Sequence, residues 1–123
     1  MKRNPVGWFE IYVQDMARAK QFYESVFEVE LVKLNNPELE LLGFPAEMNQ
    51  AGASGALVKM EGFPSGGNST LIYFSCEDCA VEEGRVEKFG GYIQKRKMSI
   101  GEYGFISLVF DTERNMFGLH SLK

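Results

Sequence analysis

Cysteine is scarce in this sequence, which limits the structural classes open to it. Its 123 residues hold two cysteines, Cys76 and Cys79. Small secreted scaffolds usually depend on several disulfides. We therefore expect both thiols to be reduced and the fold to rest on an ordinary hydrophobic core.

Long apolar runs and basic clusters are also missing. The longest apolar stretches have the length of a strand, well short of the roughly 20 residues that cross a membrane. The opening Met-Lys-Arg-Asn-Pro-Val lacks the apolar segment of a signal peptide. The net charge is −4 and the Lys and Arg residues are scattered, so no surface that follows phosphates is predicted. We expect a cytoplasmic protein that binds neither nucleic acid nor membrane.

What the sequence does contain is typical of one globular domain. Apolar residues make up 45% and charged residues 24%, and the chain is long enough to build a single core. We expect one domain over residues 1–123.

The first half of the chain predicts a strand, a helix and three strands. Residues 6–13 are rich in aromatic and β-branched types, and Asp15 follows at the position of a helix N-cap. Apolar residues at three- and four-residue spacing predict a helix over 16–27. Further strands are predicted near 29–34, 38–44 and 54–60.

The second half repeats this order of elements. After the Gly-, Ser- and Pro-rich connector 62–68, a strand is predicted at 70–76, with Asp78 at the next N-cap. The remaining predictions are a helix over 79–90, ended by Gly90-Gly91, and strands near 92–99, 104–111 and 116–122.

A shift of 63 residues places Asp15 on Asp78 and Gly55 on Gly118. The sequence therefore predicts an internal duplication of βαβββ units, at about 5–61 and 69–123. The expected fold class is α+β.

Several segments in this order resemble the vicinal oxygen chelate superfamily, which includes glyoxalase I, extradiol dioxygenases and bleomycin resistance proteins. The carriers are Trp8–Asp15, Ala17-Arg18-Ala19, Phe22-Tyr23, Tyr73-Phe74-Ser75 with Asp78, Gly90-Gly91, and Tyr103–Ser121. The resemblance implies two tandem βαβββ modules forming a cupped mixed sheet, a small-molecule ligand in the cup, and a homodimer.

Metalloenzymes of this superfamily take one metal ligand from the first and last strand of each module. Carried over, these positions fall at Trp8, Gly55, Leu71 and Gly118. None of these side chains binds a divalent cation, so we predict no metal and no cofactor. A register error of two residues would instead bring Glu10 or His120 into the set.

By the same analogy, five residues face the cup. Trp8, Glu10 and Tyr12 share one face of the first strand because side chains alternate along a strand, and Tyr73 and His120 occupy matching faces in the second module. We interpret Glu10 and His120 as candidate acid/base residues and Trp8, Tyr12 and Tyr73 as ligand contacts. The competing interpretations are cross-strand hydrogen bonding for Glu10 and plain packing for His120 and Tyr73.

Two remaining features have structural explanations. The Cys76-x-x-Cys79 spacing suggests a redox pair, but the repeat aligns these residues with Val13 and Met16, so both are expected to act as small hydrophobes. Arg114 stands where members of the superfamily commonly carry Gly, which would cost about 1 kcal/mol if the turn needs a positive φ.

Three functional hypotheses remain open at this point, and one of them, a subunit that only mediates protein assembly, predicts a cavity filled by the protein's own side chains. The other two involve a small molecule. The first is a metal-free protein that binds or sequesters a small, partly aromatic molecule. The second is a glyoxalase-like lyase, isomerase or dioxygenase that uses a metal at unusual positions, or Glu10 and His120 as acid and base.

Overall fold

The computed structural model describes residues 4, 6, 8–37, 39–47, 49–68 and 70–123, except for the side chain of Tyr103. Its first unit consists of β1 (Phe9–Tyr12), α1 (Met16–Phe27), β2 (Val32–Lys33), β3 (Glu40–Gly43) and β4 (Gly55–Lys59). Its second unit consists of β5 (Tyr73–Ser75), α2 (Cys79–Val86), a 3₁₀ turn (Glu87–Phe89), β6 (Tyr92–Ser99), a second 3₁₀ turn (Gly101–Tyr103), β7 (Phe105–Phe110) and β8 (Met116–Ser121).

Each unit forms its own four-stranded mixed sheet. The strand orders are β1-β4-β3-β2 and β5-β8-β7-β6. The first strand pairs in parallel with the last in both sheets, and the other neighbours are antiparallel. The predicted α+β fold with two βαβββ modules is confirmed. Within the described part of the chain, neither helix has the length and apolarity needed to cross a bilayer.

Both helices begin where the sequence predicts. The Asp15 side chain accepts a hydrogen bond from the backbone N–H of Arg18 at 3.1 Å, and Asp78 accepts one from Ala80 at 3.0 Å. These bonds satisfy amide groups that have no partner inside the helix. The second helix is shorter than predicted, because α2 changes to the 3₁₀ turn after Val86 and ends at Gly90 with φ 99°.

Several strands are shorter than the sequence suggests. Of the strand predicted over 29–34, only Val32–Lys33 forms a strand, and of the strand predicted over 70–76, only Tyr73–Ser75 does. Both are edge strands that pair with a single neighbour, and in both cases that neighbour continues beyond the paired residues. Gly7 and Glu38, which belong to two of the predicted strands, lie outside the described residues.

The internal repeat does not keep one offset throughout. The backbone N–H of Val13 donates to the carbonyl of Val58 at 2.9 Å, and that of Cys76 donates to the carbonyl of His120 at 2.7 Å. The donors are 63 residues apart in sequence but the acceptors are only 62 apart. The single shift of 63 is therefore wrong for the last strand of each module.

An aromatic core joins the two modules. Tyr23 of α1 is fully buried and its ring packs against Phe74 of β5 and Phe117 of β8, with centroids 6.1 Å and 5.5 Å away. Its hydroxyl donates a 2.8 Å hydrogen bond to Asp111 Oδ2. The first helix thus helps to form the core of the second module.

The turn between β7 and β8, residues 111–115, docks onto the junction of β1 and α1. Glu113 is buried, and its Oε1 accepts hydrogen bonds from the backbone N–H groups of Gln14 at 2.6 Å and Asp15 at 3.0 Å. Its other oxygen accepts from Arg18 Nε at 2.7 Å and pairs with the same guanidinium. The turn of one module therefore binds the helix start of the other.

Replacing Arg114 with Gly tests backbone strain in this turn. Arg114 has φ 67°, a conformation that costs an L-residue roughly 1 kcal/mol and glycine almost nothing. We expect R114G to raise the free energy of unfolding in urea by about 1 kcal/mol. The control is R114A, which removes the charge but keeps the Cβ and should not stabilise. Equal stabilisation by both variants would assign the effect to charge instead of φ.

Replacing Tyr23 with Phe tests the buried hydrogen bond to Asp111. We expect a loss of about 1–2 kcal/mol in the free energy of unfolding, because Asp111 loses a donor that water does not replace. Burial also raises the pKa of Tyr23 well above its ordinary value of 10.0. The folded state therefore keeps a proton that the unfolded chain releases, and wild-type stability should fall as the pH rises above 10.0.

That alkaline loss should be smaller in Y23F. Y12F provides the matched control, since the Tyr12 hydroxyl bonds an exposed carboxylate. If Y23F and Y12F gave the same urea midpoint and the same pH dependence, the buried bond would not contribute to stability.

Candidate functional site

A cavity of about 680 Å³ lies where β1 and β5 approach each other. The rings of Phe9 and Phe74 bring these strands together from the core side, with centroids 5.6 Å apart. The cavity lining includes Trp8 and Glu10 from the first module and Leu71 and Tyr73 from the second. This volume lies within the usual range for small-molecule sites, about 300–1,000 Å³.

Trp8, Glu10 and Tyr12 form a hydrogen-bonded group on one face of the first strand. Trp8 Nε1 donates to Glu10 Oε2 at 3.3 Å, and the Tyr12 hydroxyl donates to Glu10 Oε1 at 2.9 Å. The hydrogen bond to Glu10 is the main cause of a raised pKa for Tyr12, so the phenol stays protonated and remains a donor. The carboxylate is held in place by two neutral donors.

Tyr73 lies on β5, the edge strand of the second module's sheet. It pairs with Gly118 across the β5–β8 ladder, and a Cβ added at Gly118 would overlap the Tyr73 ring. The ring is 45% exposed and Trp8 is 47% exposed, so two aromatic side chains present free surface to the cavity. Large exposed aromatics that share one concave surface are typical of binding sites.

Glu10 also lines a smaller cavity of about 400 Å³. Tyr12, Thr70 and Met116 line it together with parts of the connector. The Phe63 ring of the connector stacks on Tyr12, with centroids 5.4 Å apart. Glu10 is thus shared by both cavities, and neither Phe63 nor Thr70 was predicted as a site residue.

The predicted residues do not all meet. Trp8, Glu10 and Tyr73 line the larger cavity and Tyr12 lines the smaller one. His120 lies on β8, is partly buried and pairs with Ser75, but it does not line either cavity. Neither of these two cavities is lined by both members of the predicted acid/base pair, Glu10 and His120.

The strand pairing tests one of the four positions that the resemblance predicts for metal ligands. Ala56, and not Gly55, pairs with Glu10 on the last strand of the first module. A Cβ on Gly55 would meet the Phe9 ring on the core side, so placing Gly55 in the cup was wrong by one residue. Ala56 is paired with Glu10 as Gly118 is paired with Tyr73, so the predicted set becomes Trp8, Ala56, Leu71 and Gly118. Among the described residues, no group of three or more His, Cys, Asp or Glu side chains is arranged to hold a metal ion.

The two cysteines have the character of packing residues. Both are unpaired thiols, and Cys79 is completely buried. Burial raises the pKa of Cys76 to about 12, so little of the reactive thiolate exists near neutral pH. These properties do not favour a redox pair.

The fold and this cup agree with the comparisons to known proteins. Residues 6–119 match the model of the Glyoxalase/Bleomycin resistance protein/Dioxygenase superfamily, and the chain belongs to that superfamily. No curated protein sequence gives a significant match.

Solved structures of the same fold come from proteins with different roles. One is TnmS3, an antibiotic-binding protein from Streptomyces sp. CB03234, with 22% identity, 98% of each chain covered and a TM-score of 0.68. Another is the fosfomycin resistance protein FosX from Listeria monocytogenes, with 15% identity, 98% of this chain and 92% of that chain covered, and a TM-score of 0.72. A glyoxalase I mutant from Zea mays has 17% identity and a TM-score of 0.73, with 94% of this chain but 44% of that chain covered. At these identities the likeness shows the fold alone.

A double-mutant cycle tests the packing of Tyr73 on Gly118. G118A should lower the free energy of unfolding by about 1–3 kcal/mol, because the new methyl group overlaps the ring. In a Y73A background the same change should cost much less, which gives a coupling energy of about 1 kcal/mol or more in urea unfolding. An equal cost in both backgrounds would show that the ring does not occupy the space above Gly118.

Proposed function

We propose that the protein is a metal-free member of its superfamily that binds a small, partly aromatic organic molecule in the cavity between β1 and β5. The observation that carries the proposal is the contact of Tyr73 with Gly118. At a position where metalloenzymes of the superfamily supply a ligand, this chain has no side chain and an aromatic ring takes the space.

The remaining metal positions support the same conclusion. Trp8 and Leu71 are large and apolar, and Ala56 has only a methyl group to present. A divalent cation needs several oxygen, nitrogen or sulfur ligands, and Glu10 is the only carboxylate among the described residues lining the larger cavity. The lining instead offers aromatic and aliphatic surface with one fixed carboxylate, which suits an organic ligand.

The arrangement gives less support to an acid/base enzyme. Such an enzyme needs its acid and base within reach of one bound substrate. Glu10 lines the cavities and His120 does not, so binding is the function that the geometry favours. Location in the cytoplasm and assembly into a homodimer belong to the same proposal, and sedimentation equilibrium would test the dimer.

Metal binding is tested on untagged protein purified without chelator. We expect less than a tenth of an equivalent of metal per chain, and no change in melting temperature with Mn²⁺, Ni²⁺ or Zn²⁺. A bound metal would raise the melting temperature because it stabilises only the folded state. Stoichiometric metal, or a saturable stabilisation that E10Q or H120N abolishes, would overturn the proposal and favour a metalloenzyme.

Ligand binding is tested with N-phenyl-1-naphthylamine, a neutral aromatic probe whose emission rises in apolar surroundings. Trp8 is the only tryptophan of the chain and lines the cavity, so energy transfer from Trp8 reports occupancy. We expect saturable binding that weakens about 3–10-fold in Y73A, the value of one aromatic contact. Y92A is the matched control, because Tyr92 is 62% exposed on a distant strand. Equal loss in Y73A and Y92A would contradict this site.

A further inference from the structure

The described lining of the larger cavity carries a charge of one sign. Among the described residues that line it, Glu10 is the only charged side chain, and none is Lys or Arg. The partners of the carboxylate are the Trp8 indole N–H and the Tyr12 hydroxyl. Both donors are neutral, and the raised pKa of Tyr12 keeps its proton in place. The two hydrogen bonds orient the negative charge without neutralising it.

This charge limits which ligands can fill the cavity. A ligand packed against Glu10 removes water from an exposed carboxylate. An anion that loses its water without gaining a positive partner or further donors costs several kcal/mol. A purely apolar ligand, or an anionic one, would offer the carboxylate no interaction that offsets this desolvation cost.

The carboxylate has acceptor capacity left for a ligand. Each of its oxygens accepts one hydrogen bond from the protein, whereas a carboxylate offers about four acceptor sites. Two or more N–H donors on the ligand would fill the remaining acceptor sites of the Glu10 carboxylate. Charge-assisted hydrogen bonds of this kind are about twice as strong as neutral ones.

The aromatic walls favour the same class of ligand. Trp8 and Tyr73 line the cavity together with Glu10 and are roughly half exposed, at 47% and 45%. Their ring faces carry partial negative charge and attract cations, with a contribution of about 0.5–2 kcal/mol. They also stack with flat rings.

From this juxtaposition we infer that the cavity selects an organic cation, namely an aromatic molecule with a protonated amine or amidine that donates hydrogen bonds to Glu10 between Trp8 and Tyr73. The inference rests on the proposed function and names the charge and donor chemistry of its ligand.

The test compares three naphthalene compounds of nearly equal size by isothermal titration calorimetry at pH 7. They are 2-naphthylmethylamine, which is a cation, 2-naphthylmethanol, which is neutral, and 2-naphthoate, which is an anion. We expect the amine to bind at least tenfold more tightly than the alcohol, and the naphthoate to bind most weakly. In E10Q the preference for the amine over the alcohol should drop at least threefold, which leaves only the part that the ring faces of Trp8 and Tyr73 contribute. The control E30Q removes the same charge at an exposed position outside the cavity and should preserve the wild-type order.

The results separate this inference from the proposed function. Equal affinity for all three compounds, or tightest binding of the naphthoate, would overturn the charge selection while leaving a binding cavity in place. Saturable binding of N-phenyl-1-naphthylamine without binding of the amine would also overturn it. If neither that neutral probe nor any naphthyl compound bound, the proposed function itself would fail. A circular dichroism melt of E10Q checks that this variant is folded.

Discussion

The structure depends on two buried carboxylates in the turn at residues 111–115. Asp111 Oδ1 accepts backbone hydrogen bonds from Glu113 at 2.7 Å and Asn115 at 2.8 Å, which close the turn on itself. The pKa of Asp111 is raised overall, because burial raises it by more than these hydrogen bonds lower it. Glu113 and Asn115 then reach into the first module, where Asn115 Nδ2 donates to the carbonyl of Tyr12 at 2.9 Å. Charged groups in a low-dielectric interior persist only when their hydrogen bonds are complete, so this turn couples the two modules.

The position of the candidate site depends on this coupling of the two modules. The turn holds the carboxyl end of β1 at Tyr12 and the start of α1, and the first strand in turn presents Trp8 and Glu10 to the cavity. The hydrogen-bonded group needs little help from the rest of the fold, because its members are two residues apart on one strand face and meet through local geometry. The second module supplies the opposite wall and contributes Leu71 and Tyr73.

Much of this arrangement could be predicted from the sequence because it is set locally. Asp15 and Asp78 define the helix starts through short-range capping, and alternation along a strand places Trp8, Glu10 and Tyr12 on one face. Strand register was harder to predict. Pairing fixes Ala56 opposite Glu10, and a slip of one residue moved the prediction to Gly55 on the other face. Alternation along β8 does not indicate whether His120 lines either of the two cavities described, and Phe63 lies in a connector whose path no periodicity predicts.

The packing of Tyr73 on Gly118 limits the order in which these two positions can change. A metal site built at these positions would need a ligand at 118, a smaller residue at 73 and further ligands in place of Trp8, Ala56 or Leu71. A ligand at 118 introduced first collides with the ring, and loss of the ring first removes a wall of the cavity before any metal is gained. Each single change therefore has a structural cost of its own, so residues 73 and 118 would have to change together for this position to gain a ligand.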